Sequence, residues 1–130
     1  MKINKLKFLL LIIWAVLLTS CSHRLVGTWN VERYETISPG NESISLYNIG
    51  TMTFNSNSSG TKDLNFTVMG LEKKDQIPFT WSWSDGKLVT IDSDGSDFSK
   101  TWIIIENKRK TQLWKSTDGS DNVQVMELKK

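Results

Sequence analysis

Beyond residue 25 the apolar and polar positions alternate in short runs, and none of these runs has helical spacing. Phe79, Trp81 and Trp83 alternate with Thr80, Ser82 and Ser84, and Leu64, Phe66 and Val68 alternate with Asp63, Asn65 and Thr67. A period of two sends the two sets to opposite faces of a strand. Runs of this kind predict strands over about 26–36, 49–55, 63–68, 79–84, 88–91, 102–105, 110–115 and 122–128. The 102–105 run, Trp-Ile-Ile-Ile, reads as fully apolar core. Turn chemistry separates the runs: Ser38-Pro39-Gly40-Asn41, the Asn/Ser/Gly stretch 55–60, Asp85-Gly86 and Asp118-Gly119. Short connections favour antiparallel neighbours in chain order. The expected fold is therefore all-β, an up-and-down barrel of about eight strands that closes on itself and leaves no edge. At eight strands the interior is either filled by side chains or holds one small ligand.

The chain before residue 26 follows a different pattern. Lys2, Lys5 and Lys7 precede an unbroken apolar run of 11 residues, Phe8 to Leu18. That run suits an export signal and is too short for a spanning helix, which needs about 20 residues. Leu18-Thr19-Ser20-Cys21 follows and resembles the lipobox of bacterial lipoproteins. The resemblance implies cleavage before Cys21, a diacylglyceryl group on its thiol, and acylation of the new amine by a chain such as palmitate. The expected division is a signal peptide over 1–20, a lipidated Cys and short tether over 21–25, and a barrel domain over 26–130. Ser22 resembles the residue that leaves such proteins at the outer membrane by default. No acidic run follows Cys21, so the periplasmic face is the expected location. The tether is short enough to hold the domain close to the membrane.

Charge and composition exclude several functions. Of 16 Lys and Arg in 130 residues, three leave with the leader, so thirteen remain against 14 Asp and Glu. A net charge near −1 is not the basic balance that nucleic-acid binding requires. Cys21 is the only cysteine, which rules out an intrachain disulfide. His23, the only histidine, lies two residues from the anchor and reads as part of the linker. Neither a nucleophile–histidine pair nor a zinc site is expected, and no carboxylate pair marks a hydrolase. No cofactor and no enzymatic activity are expected. Asp92-Ser93-Asp94-Gly95-Ser96-Asp97 gathers three carboxylates. Its Gly stands fourth and no distal acid follows, so it departs from the calcium-loop pattern. It reads as a turn whose Asp side chains cap local N–H groups, and weak calcium binding is the alternative.

Leu25-Val26-Gly27-Thr28-Trp29 resembles the Gly-x-Trp signature of the first lipocalin strand. Together with Gly50-Thr51-Met52-Thr53-Phe54, Phe79-Thr80-Trp81 and Leu88-Val89-Thr90-Ile91, it is similar to the short lipocalin-like lipoproteins of Bacteroidetes. The resemblance implies that Gly27 and Trp29 lie at the closed end of a barrel, with Trp29 packed under a basic residue from the last strands. Which basic residue does this cannot be assigned from the sequence. The chain is shorter than full lipocalins and lacks their C-terminal helix, which argues against a roomy cavity.

The mature part carries nine Trp and Phe residues. They either fill the barrel or line a mouth for an apolar or acyl ligand. For the second case the candidate lining is Trp81, Trp83, Phe54, Phe66 and Trp102, with Trp81 and Trp83 expected nearest the mouth. Two functions remain. One is a membrane-anchored barrel binding a small apolar or lipid-like ligand. The other is a filled barrel acting as a protein-interaction module: an inhibitor, an immunity factor or an envelope-assembly accessory. The anchor reading is tested by mass. The protein extracted from membranes should carry diacylglyceryl and acyl additions at Cys21, and Cys21→Ser should remove them and leave the protein uncleaved. An unmodified Cys21 in the mature protein would rule the anchor out.

Overall fold

A computed structural model describes residues 23–40, 42–117 and 121–130. Among them every regular element is a strand: β1 (Gly27–Ile37), β2 (Ile44–Phe54), β3 (Ser59–Val68), β4 (Leu71–Asp75), β5 (Phe79–Ser84), β6 (Leu88–Asp92), β7 (Lys100–Asn107), β8 (Thr111–Thr117) and β9 (Val123–Lys129). All pairings are antiparallel, in the order β2-β1-β9-β8-β7-β6-β5-β3-β4, and β2 also pairs with β3. That last pairing closes an eight-stranded barrel, with β4 as one additional strand. Cys21 and the Asp118-Gly119 turn lie outside the described residues.

β4 was not visible in the alternation, and its place follows from register. In β3–β4, Leu64 faces Asp75; four residues further along both strands, Gly60 faces Phe79 of β5. β4 and β5 are thus two halves of one strand against β3, interrupted at Gln76-Ile77-Pro78. Proline has no N–H to give to a ladder, so a break falls naturally there. A side chain fills the gap. Lys62, with no exposed side-chain surface, bonds Asp75 Oδ1 at 2.7 Å, the Ile77 carbonyl at 2.7 Å and Ser93 Oγ at 2.9 Å. The Ser96 hydroxyl and the Ile77 N–H donate to the Asp75 carboxylate at 2.6 and 3.2 Å.

The inward phase is also not uniform. In β1, Trp29 and Val31 face inward, but the next inward residue is Tyr34, because the ladder slips between Val31 and Arg33. β2 kinks at the same level, where Asn48 and Gly50 have φ of 52° and 141°. A Cβ at Gly50 would run into the Asp63 carbonyl, so the kink needs glycine. Gly60 serves a different close approach, since the Phe79 ring lies where its Cβ would be. A second slip in β7, between Ile104 and Glu106, adds curvature. The 102–105 run is therefore only partly core: Trp102 is fully buried, while Ile103 and Ile105 are 43% and 54% exposed.

The buried ion pair sets the acid response. Burial pushes the Asp75 carboxyl up, but the hydrogen bonds from Lys62, Ser96 and Ile77 and the Lys62 charge outweigh it and hold the group below its usual value. A carboxyl depressed in the folded state stabilises the fold above its unfolded value of about 4. That contribution is lost as pH falls through the depressed folded value. Lys62→Ala should cost about 3–5 kcal/mol near neutrality, because it strands a buried carboxylate. Asp75→Asn should also destabilise, and its gap from the wild type should narrow below about pH 4. Urea unfolding against pH reads both effects; a constant gap would show that Asp75 does not titrate with folding.

Candidate functional site

The meander gives the barrel two distinct ends. One end collects the N-terminal residues, the 55–58 loop, the Asp85-Gly86 and Lys108–Lys110 turns, and Lys130. Hydrogen bonds tie these parts together: Arg24 Nη1 to the Asn107 carbonyl at 3.0 Å, Lys130 N–H to the Lys110 carbonyl at 2.9 Å, and Trp81 N–H to the Ser58 carbonyl at 2.9 Å. Leu25, placed in the tether by sequence, is fully buried and plugs this end beneath Trp29, whose indole N–H donates to the Leu25 carbonyl at 2.8 Å. A basic side chain, that of Lys130, lies over the same indole. Its Nζ sits 4.8 Å from the Trp29 ring centroid and donates to the Val26 carbonyl at 3.0 Å.

His23 is folded onto this end and is not free linker. Its ring lies 4.1 Å from that of Trp83 and 5.6 Å from that of Trp81, and its Nδ1 accepts the Leu25 N–H at 3.0 Å. Burial lowers its pKa, and the Arg24 charge acts in the same direction.

The five candidate lining residues are wall and core, and Phe66 alone of them also borders an open groove in the wall. Phe54, Phe66, Trp81 and Trp102 are buried, and Trp83 is half-buried under His23. Trp81 and Trp83 belong to the plugged end, where the His23 ring packs against both. Phe54 packs edge-on against Phe79, Trp81 and Trp114, and Trp114 leads through Trp102 to Phe98, Phe66 and Tyr34. The buried indole N–H groups all find acceptors: Trp102 on the Phe98 carbonyl, Trp114 on Gln112 Oε1, and Trp81 on the Asn55 and Ser59 carbonyls. Described side chains fill the interior along this axis.

One accessible concavity lies at the other end, in the wall. The β2–β3 ladder stops at Gly50 and Leu64. Above that point Ile44–Ile49 keeps β1 on one side and, among the described residues, has no strand on the other. The gap between it and the β3–β4 hairpin is an open groove of about 440 Å³, lined by Leu46, Tyr47, Ile49, Asn65, Phe66, Thr67 and Glu72. Tyr34 and Phe98 back the Phe66 ring at 6.3 Å each. Of the lining residues Tyr47 is 64% exposed, and Met69 and Leu71, at 88% and 68% exposure, lie at the tip of the β3–β4 hairpin. Sequence reasoning missed this region because it began the second strand at residue 49. The alternation of Ile44 and Leu46 with Ser45 was the available signal.

The 92–97 loop is a turn, but its serines do the inward bonding. Ser93 Oγ accepts from Lys62, Ser96 Oγ donates to Asp75 and caps the Phe98 N–H, while Asp97 pairs at the surface with Lys73 at 3.4 Å. Among the described residues no group of three or more His, Cys, Asp or Glu converges as a metal cage would.

No protein family matches the chain, and no curated protein or solved structure is similar to it. The filled interior has a measurable consequence. Trp102→Ala should lower stability by about 3–5 kcal/mol, whereas Trp83→Ala should cost roughly 1–2 kcal/mol. Denaturant midpoints at constant m-value read the difference, and equal small losses would mean that Trp102 is not a core residue.

Proposed function

We propose that the chain is a lipid-anchored envelope protein whose filled, lipocalin-like barrel docks an extended segment of a protein partner in the groove beside β2. The supporting observation is the early end of the β2–β3 ladder. Among the described residues it leaves the outer edge of Ile44–Ile49 without a neighbouring strand, over a packed aromatic floor. An open strand edge offers backbone donors and acceptors to an added strand, and adjoining apolar side chains give selectivity. Leu46, Ile49 and Phe66 supply the apolar floor and Tyr47 an exposed rim, with the exposed Met69 and Leu71 at the tip of the β3–β4 hairpin. Cys21, held in the outer membrane facing the periplasm, would leave this groove at the end away from the anchor.

A small apolar or lipid-like ligand is the second reading. The groove volume of about 440 Å³ falls in the range of small-molecule sites. The groove is open to solvent, however, and such sites usually bury most of their ligand.

The two readings separate by experiment. Native mass spectrometry of the chain from Ser22 onward should give a bare mass, and lipid extracts should leave its tryptophan emission unchanged. A photo-crosslinker at Tyr47 should capture one discrete envelope protein in cells, and Leu46→Asp with Leu71→Asp should abolish the product. The same group at Thr90, on the opposite wall, should capture nothing comparable. Small-molecule adducts that disappear in the Leu46→Asp variant would replace the protein partner with a ligand.

A further inference from the structure

We infer that the N-terminal end of the barrel is a docking face for an anionic lipid surface, so that the protein lies on its membrane in one orientation. The inference rests on the anchor reading above only for the identity of the membrane; the face itself is built from described residues. Arg24, Lys87, Lys108, Arg109, Lys110 and Lys130 all lie at this one end, Arg24 bonded to the Asn107 carbonyl and Lys130 folded over Trp29. Only Asp85 and Glu106 stand among them as acids, and Lys129 nearby is engaged by Glu32 at 3.7 Å. Because the mature chain is close to neutral, this collar is balanced by acids elsewhere. Glu42, Glu72, Asp94, Asp97 and Asp121 lie on the connections and the hairpin of the opposite end, where they outnumber Lys73, Lys74 and Lys100, and Lys73 is paired with Asp97 at 3.4 Å. The molecule is therefore an electrical dipole whose positive pole is the end at which the chain enters the fold.

Two further features fit a lipid partner better than a soluble anion. His23, Arg24, Val26, Arg109 and Lys130 surround an open concavity of about 490 Å³, large enough for a phosphate headgroup. Beside the collar, the outer face of β6 and β7 exposes Leu88, Ile103 and Ile105, with Leu88 directly opposite Ile103. Aliphatic side chains next to basic ones match an interface where acyl chains begin just below anionic headgroups. Basic residues near such a surface each strengthen binding about fivefold, and the effect fades within a Debye length.

The closed wall and the core lie within residues 25–129, so the chain from Ser22 onward keeps every contact of the fold and binds only through this face. It should co-sediment with phosphatidylcholine vesicles containing phosphatidylglycerol, but not with phosphatidylcholine alone, and high salt should release it. Replacing Lys108, Arg109 and Lys110 by Ala should weaken binding roughly a hundredfold. Lys73→Ala with Lys74→Ala, at the opposite end, should leave it unchanged, with both variants checked for native unfolding midpoints. Ile105→Ser should reduce binding without altering its salt dependence. Equal binding to neutral vesicles, no binding at low salt, or equal losses from the two lysine sets would overturn the inference. The mass at Cys21 reports the anchor separately, so either reading can fail without the other.

Discussion

A lysine ammonium taken wholly out of water must be neutralised and hydrogen-bonded, and much of the barrel is arranged to do this for Lys62. Such a charge is tolerated only when its partners are nearly ideal in distance and number. Lys62 takes three, from three separate segments: Asp75 at the end of β4, the Ile77 carbonyl in the break before β5, and Ser93 at the start of the β6–β7 loop. Ser96 then completes the Asp75 carboxylate. The break between β4 and β5 turns a carbonyl away from the ladder and toward the charge. The β6–β7 loop folds in over the same point. A strand interruption that would weaken a plain sheet is held in place by an interaction costly to lose.

The rest of the interior is apolar and aromatic. Trp29, Phe54, Trp102 and Trp114 leave little room along the axis, and each indole finds its acceptor close by. The two ends consequently differ. One is plugged by Leu25 and ringed with positive charge, while the other opens sideways where β2 and β3 part. The side chains that seal one end contribute nothing to the groove at the other.

The class of fold was legible because period-two alternation in β3, β5 and β6 is clean and the turns between strands carry glycine or asparagine. Departures from alternation hid the rest. The slip near Glu32 brings Tyr34 inward where strict alternation from Trp29 and Val31 would put Arg33. Positive φ at Asn48 and Gly50 broke the pattern of β2 and concealed its first half, which carries the groove. β4, Leu-Glu-Lys-Lys-Asp, shows no apolar face because only Asp75 of it is buried. Lys62 could have been found by extending the phase of Leu64 and Phe66 back by two residues. Its charge argued against an inward position, and only the three-dimensional partners make that position affordable. The clustering of basic side chains at one end was invisible in a net charge near zero, because they come from four distant parts of the chain.

The plug also has a mechanical meaning. A pull transmitted from residues before His23 reaches the fold through Leu25 and then β1, which is bonded to β2 along one side and β9 along the other. Such a load runs along the strand, so the bonds of both ladders resist in shear together and are not peeled one at a time. Leu25 must also leave its seat beneath Trp29 before β1 is strained. Tension applied at the N-terminal end of the fold thus loads two ladders at once.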